Sequence, residues 1–280
     1  MTRIEIWRRV AEMIRAEIGD ATWLGCGCPL WAAVGLVDAV RIGSDVGVEW
    51  RGHLSAQSLL RDQATRNFTN GILWQTDPDC ILLRERFHHL TESEIRSLAM
   101  YAAMTGGVTM TSDALDELSP ERLRLWKLLL NPNSATCRFP FLGQSPITYE
   151  RLPADLYSHR VRHQAVADSV LVQVRVPSVI LSGANAERLR ATSETLRSAQ
   201  GDDQVAIFIF NTGDAPVQRT YALDALGIAN ARFGYDWINQ QTFQVAGAET
   251  AKVSVTLAPH DGALLFVSAA PFDVAPERLP

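Results

Sequence analysis

Residues 40–50 read VRIGSDVGVEW. Val40 and Ile42 flank Arg41, and the apolar run then breaks on Gly43, Ser44 and Asp45. A short apolar run closed by glycine and small polar residues has the pattern of a buried strand. Arg41 within it, and Asp45 two pleats further along the same face, call for a reason. A guanidinium directed inward costs free energy unless it is paired. Asp45, the hydroxyls of a substrate, or both could serve as the partner.

The stretches on either side repeat the pattern. TWLGCGCP (22–29) and DAVRIGSD (38–45) are short apolar runs, ILWQTDPDCILL (72–83) holds a strand and a DPD turn, and GGVTMTSD (106–113) is a further strand. Helical signals alternate with them. Residues 3–19 space Ile6, Val10, Met13, Ile14 and Ile18 at a helical period. Residues 54–71 are amphipathic. Thr91 and Glu94 form a capping box that opens a helix to about Thr105, and Ser119-Pro120-Glu121 starts another through Leu130. Strand, helix, strand, helix at this spacing predicts parallel strands with crossover helices.

After Asn131-Pro132-Asn133-Ser134 the texture changes. VLVQVRV (170–176), VAIFIFN (205–211), QRTYAL (218–223), ARFGYDW (231–237), KVSVTL (252–257) and GALLFVS (262–268) read as strands of an antiparallel β-sandwich. GAETAK (247–252) and APHDGA (258–263) are expected as exposed hairpin loops. The predicted organisation is a partial (β/α) barrel over 1–131, an irregular connection over 132–168 and a sandwich over 169–280.

Composition narrows the partners. The chain has 280 residues, is 47% hydrophobic and carries a net charge of −5. The acidic balance, with no basic block, argues against nucleic acid. No apolar stretch reaches the roughly 18 residues of a membrane span. The N-terminus is charged throughout and has no signal-peptide core, so the expected location is cytoplasmic. Cys26, Cys28, Cys80 and Cys137 form no CxxC pair, and the expectation is buried, reduced thiols. A zinc site combining them with His88 and His89 has unsuitable spacing.

Three of the predicted strands end in a small polar residue and an acid: Ser44-Asp45, Thr76-Asp77-Pro78-Asp79 and Ser112-Asp113. In a (β/α) barrel such ends face the active site. Helix capping is the competing explanation, stronger for Asp77 and Asp113 than for Asp45, which precedes no periodic helix. On residue pattern alone three readings stay open: a glycosidase with paired carboxylates, a metal-dependent hydrolase using Asp77, Asp79 and His88, and a non-catalytic sugar-binding protein.

The joint spacing of GCG, RxxxD, DPD and SD over roughly residues 10–130 resembles the C-terminal half of the catalytic barrel of family 36 and related α-galactosidases, the melibiases. The tail from VAIFIFN onward is similar to their C-terminal sandwich. The resemblance implies the C-terminal half (strands five to eight) of a (β/α)8 TIM barrel, followed by a β-sandwich, and retaining hydrolysis of α-galactosides by double displacement. It makes Asp45 the general acid/base and Arg41 a sugar-hydroxyl contact. Cys26, with Gly27 beside it, lines the pocket, and Asp79 takes a structural or supporting position. It implies no metal and no cofactor. The family nucleophile, an aspartate in a Lys-x-Asp motif, has no counterpart here. The expectation is therefore an incomplete enzyme with little or no activity alone, which takes an α-galactoside or related oligosaccharide, pairs with a complementary N-terminal half, or self-associates through open sheet edges. The alternative is a non-catalytic carbohydrate-binding or scaffold remnant of the same fold. The same clan also admits another sugar, such as an α-N-acetylgalactosaminide or an α-glucoside.

Overall fold

The chain is seen here in a computed structural model that describes residues 1–43, 45–52, 54–130, 137–141, 148–151, 161–164, 169–176, 204–245, 251–277 and 279–280. Helix α1 (Arg3–Ile18) starts on Thr2, whose hydroxyl accepts from the Glu5 N–H while its own N–H donates to the Glu5 carboxylate. That reciprocal capping box fixes the first turn. Gly19, at φ 56°, ends the helix in a conformation that few other residues tolerate. The inner face carries Ala11, while Arg8 and Arg15 donate to the carbonyls of Ala32 and Leu36. The periodic apolar residues behave differently from a core stripe: Ile6, Val10, Met13 and Ile14 are all exposed.

Three parallel strands follow. β1 (Leu24–Gly25), β2 (Ala39–Arg41) and β3 (Gln75–Asp77) lie side by side in chain order. α2 (Leu30–Ala33) and α3 (Ala56–Arg66) form the crossovers that parallel pairing requires. Ser55 caps α3 through a reciprocal pair with Ser58, a signal that glutamate-based capping rules overlook. Ala33, Val37, Val40, Ile42 and Trp74 bury together, with Trp7 and Trp23 packed against them. The strand expected over 106–113 runs beside β3 through scattered bonds and no continuous ladder. Val108 N donates to Thr76 O, Ile81 N to Met110 O, and the Thr111 hydroxyl to Ile81 O.

The chain divides into two units, one of residues 1–91 and 105–118, the other of residues 92–104 and 119–280. The sequence places a boundary at residue 131. This division instead puts α4 (Glu92–Thr105), except for its last residue, and α5 (Pro120–Leu129) in the second unit. Polar bonds tie α4 to the sandwich. Gln173 Nε2 donates to Tyr101 O at 3.2 Å, and Arg175 Nη1 to Ala103 O at 2.7 Å, so carbonyls near the end of α4 are satisfied from the sandwich. Burial pushes the Arg175 pKa below its usual value.

The second unit holds β4 (Cys137–Arg138), β5 (Thr148–Arg151), β6 (Val161–Gln164), β7 (Val170–Arg175), β8 (Val205–Asn211), β9 (Val217–Ala222), β10 (Phe233–Asp236), β11 (Gln241–Gln244), β12 (Lys252–Leu257) and β13 (Gly262–Ser268). Six of them form a sheet ordered β11-β10-β13-β8-β7-β4, and β12 pairs with β9. All these pairings are antiparallel. Every residue of β8 and β13 is buried, so their sequences read as continuous apolar runs instead of alternating. The 132–168 stretch, expected to be irregular, contains β4 and the antiparallel pair β5–β6. Loop 258–261 is not an exposed hairpin: it links β12 to β13, which pair with different strands, and His260 sits between Glu94 and Asp214 at 2.6 and 3.1 Å. Most of GAETAK lies outside the described residues. Among the described residues, no helix is long and apolar enough to cross a membrane.

Candidate active site

The parallel register of β2 and β3 sets Arg41 beside Asp77. Arg41 Nε donates to Asp77 Oδ2 at 3.0 Å, its Nη2 lies 2.8 Å from Asp79 Oδ1, and its Nη1 donates to Asp45 Oδ1 at 3.3 Å. One guanidinium thus gathers three carboxylates at the C-terminal end of the sheet. Their exposures separate them: the side chain of Asp77 is 0% exposed and that of Asp79 8%, whereas Asp45 is 73% exposed. Asp77 and Asp79 are part of the frame, and Asp45 presents its carboxylate to solvent.

The frame is built by the DPD turn. Asp79 sits at φ 75°, a left-handed conformation that Asp tolerates because its side chain bonds locally. Asp77 Oδ1 accepts from Asp79 N at 2.8 Å, and Asp79 accepts from Cys80 N at 2.7 Å and from Val46 N at 2.5 Å. The last bond ties the segment carrying Asp45 to the turn. Gln63 Nε2 holds Pro78 O at 2.6 Å. Capping does not explain these acids: Asp77 serves Arg41 and its own turn, and Asp113 accepts from the Leu83 and Arg84 N–H groups. The short helical turn after Asp113 has Ala114 as its N-cap.

Burial works against the Arg41 charge. The Asp77 hydrogen bond and the Asp77 and Asp79 charges outweigh it, so the guanidinium pKa stands above its usual value. Cys26 lies near the Arg41 guanidinium as well. It follows β1 directly, with Gly27 at φ 68° turning the chain beyond it. The predicted Cys26, Gly27, Arg41, Asp45 and Asp79 therefore share the C-terminal end of one sheet. Two features differ from expectation. Asp79 contacts Arg41 directly, and Asp77, which the sequence offered only as a member of a metal site, is the buried partner. The sequence shows Asp77 as an acid at the end of the next predicted strand, but not the register that sets it directly across from Arg41.

The thiols differ from one another, correcting the expectation that all are buried. Cys26 is exposed, Cys28 and Cys80 are half-buried, and Cys137 is buried. Burial raises the Cys28 and Cys80 pKa values, Asp79 adding to the second, and pushes Cys137 up to about 12. At pH 8, Cys26 is expected to react with an aromatic disulfide reagent in the native state while Cys137 stays silent until denaturant is added. Fast labelling of native Cys137, read by peptide mass, would contradict its burial.

His88 and His89 take structural partners, with His88 Nε2 2.9 Å from Arg84 O and His89 Nδ1 3.0 Å from Glu49 Oε1. Asp77 and Asp79 balance Arg41. Among the described residues no group of three ligating side chains is placed to hold a metal ion.

No family model matches the chain. Solved structures do. A GH27 β-L-arabinopyranosidase from Geobacillus stearothermophilus matches 94% of this chain and 54% of its own, with a TM-score of 0.62 at 14% identity. A putative α-galactosidase from Bacteroides fragilis matches 96% of this chain and 52% of its own, with a TM-score of 0.59 at 16% identity. α-Galactosidase I from Mortierella vinacea matches 96% and 64%, with a TM-score of 0.56 at 12% identity. The chain spans about half the length of the first two. At these identities the likeness establishes fold: the chain has the architecture of a half (β/α) barrel followed by an antiparallel β-sandwich, as found among α-galactosidase-type glycosidases.

Proposed function

We propose that this is a carbohydrate-active protein of the retaining α-galactosidase type, with Asp45 as general acid/base, Arg41 and Cys26 against the sugar, and Gly27 leaving room beside it. The observation that carries the reading is the Arg41 hub, in which two of the three carboxylates are buried and Asp45 alone is open. An exposed carboxylate held by one arginine at a barrel mouth can reach a glycosidic oxygen. Arg41, with donors fixed by Asp77 and Asp79, is positioned for sugar hydroxyls.

Double displacement needs a second, nucleophilic carboxylate. Asp77 and Asp79 are poorly suited, because both are buried and committed to Arg41 and backbone N–H groups. The 280-residue chain alone is therefore expected to bind galactose-type sugars weakly and to turn over 4-nitrophenyl α-galactoside negligibly. A complementary barrel half would supply the nucleophile. In the reconstituted enzyme, Asp45→Asn should lower turnover by about 10²–10⁴-fold. Full activity of that variant would sink the acid/base assignment, and substantial turnover by the chain alone would sink the claim of incompleteness. Sugar binding without turnover in any combination would favour the non-catalytic alternative.

A further inference from the structure

Exposed large apolar side chains are unevenly distributed among the described residues. Outside the first unit they are only Leu130 and Val274. Within it, the most regular set lies on α1: Ile6 at 49%, Val10 at 51%, Met13 at 64% and Ile14 at 42% exposure. Spacings of three and four place these side chains in one stripe, turned away from the buried Ala11 and the anchored Arg8 and Arg15.

The charges at the ends of that stripe identify what covers it. Arg3 lies in the first turn and Glu17 in the last, both on the exposed face. Each has the wrong sign for the helix dipole, which favours anions at the N-terminus and cations at the C-terminus. The charges of the favoured sign are used elsewhere: Glu5 closes the capping box, and Arg15 pairs with Asp38 at 2.6 Å. Among the described residues neither Arg3 nor Glu17 has an ion-pair partner in its own chain. A second α1 running antiparallel about Val10 supplies one to both. It sets Val10 against its own copy, Ile6 against the second copy's Ile14, and Arg3 against the second copy's Glu17.

We propose that this face of α1 is a two-fold, self-complementary contact through which the chain forms a homodimer. The contact is isologous, so each Arg3–Glu17 pair occurs twice. The seam from Arg3 to Glu17 is about 21 Å long at 1.5 Å per residue. A single helix pair is a small interface, so the dimer is weak, with a Kd of about a micromolar or higher. The contact is independent of the reading of the sugar site.

Sedimentation velocity on the full chain from about 1 to 100 µM tests it. The wild type should move from monomer to dimer across that range. Val10→Glu, which brings two carboxylates together at the axis, should weaken dimerisation about tenfold or more. Arg3→Glu alone and Glu17→Arg alone should each weaken it, because each sets like charges opposite one another. Mixing those two variants, or combining them in one chain, should restore association, since every opposition is again between unlike charges. All three positions are exposed on a capped helix, and far-UV circular dichroism should be unchanged. A monomer throughout, a dimer indifferent to Val10→Glu, or charge reversals that fail to rescue one another would overturn the proposal, as would a wild-type monomer that takes up only a complementary barrel half through α1.

Discussion

Replacing Arg41 with methionine is expected to destabilise the first unit by about 3–5 kcal/mol and to abolish sugar binding. The size follows from Asp77. Its side chain is 0% exposed, and it faces the guanidinium at 3.0 Å. Methionine fills the space but leaves a buried carboxylate without its cation. The remaining donor, the Asp79 N–H, covers only Asp77 Oδ1. A second substitution separates this from a simple loss of packing. Adding Asp77→Asn should restore much of the loss at neutral pH. A single Arg41→Met variant as stable as wild type at pH 7 would show that the pair is not buried as described.

Gly107→Ala should cost about 2–5 kcal/mol, combining left-handed strain with overpacking. Gly107 sits at φ 91°, and a Cβ there would come within 2.1 Å of Thr76 O. That carbonyl accepts from Val108 N at 2.8 Å and belongs to the residue before Asp77. The clash therefore pushes directly on the strand that orients Arg41. Weaker sugar binding should accompany the loss of stability, although no side chain at the mouth has changed. Urea denaturation with a parallel titration of methyl α-galactoside reads both. Unchanged stability would mean that the Gly106-Gly107 turn does not approach β3 so closely. By contrast, Gly27→Ala should act mainly through its backbone conformation, since its φ is 68° and a Cβ there would meet nothing within 4 Å.

Much of the secondary structure was legible because it depends on local chemistry. Ser119 with Pro120 starts α5. The apolar runs at 205–211 and 262–268 become β8 and β13 with unchanged bounds. β11 was missed because Gln241–Gln244 lies at the sheet edge and shows a single half-buried side chain, so it carries little apolar signal. The stripe on α1 was legible as periodicity, but periodicity records only that apolar residues share a face. Whether that face is covered depends on what packs there.

The candidate site divides the same way. Local sequence was enough to set Arg41 and Asp45 at the end of one strand and aspartates at the ends of two others. Spacing along a chain is enough for that. Only the tertiary structure decided their roles, because the parallel register is a relation between segments distant in sequence. It sets Asp77 across from Arg41 and brings Asp79 to the same guanidinium. Burial then divides three chemically identical carboxylates, sealing two as counter-charges and leaving Asp45 open to solvent. Solvent exposure is set by everything that packs around a group, and no local stretch of sequence encodes it.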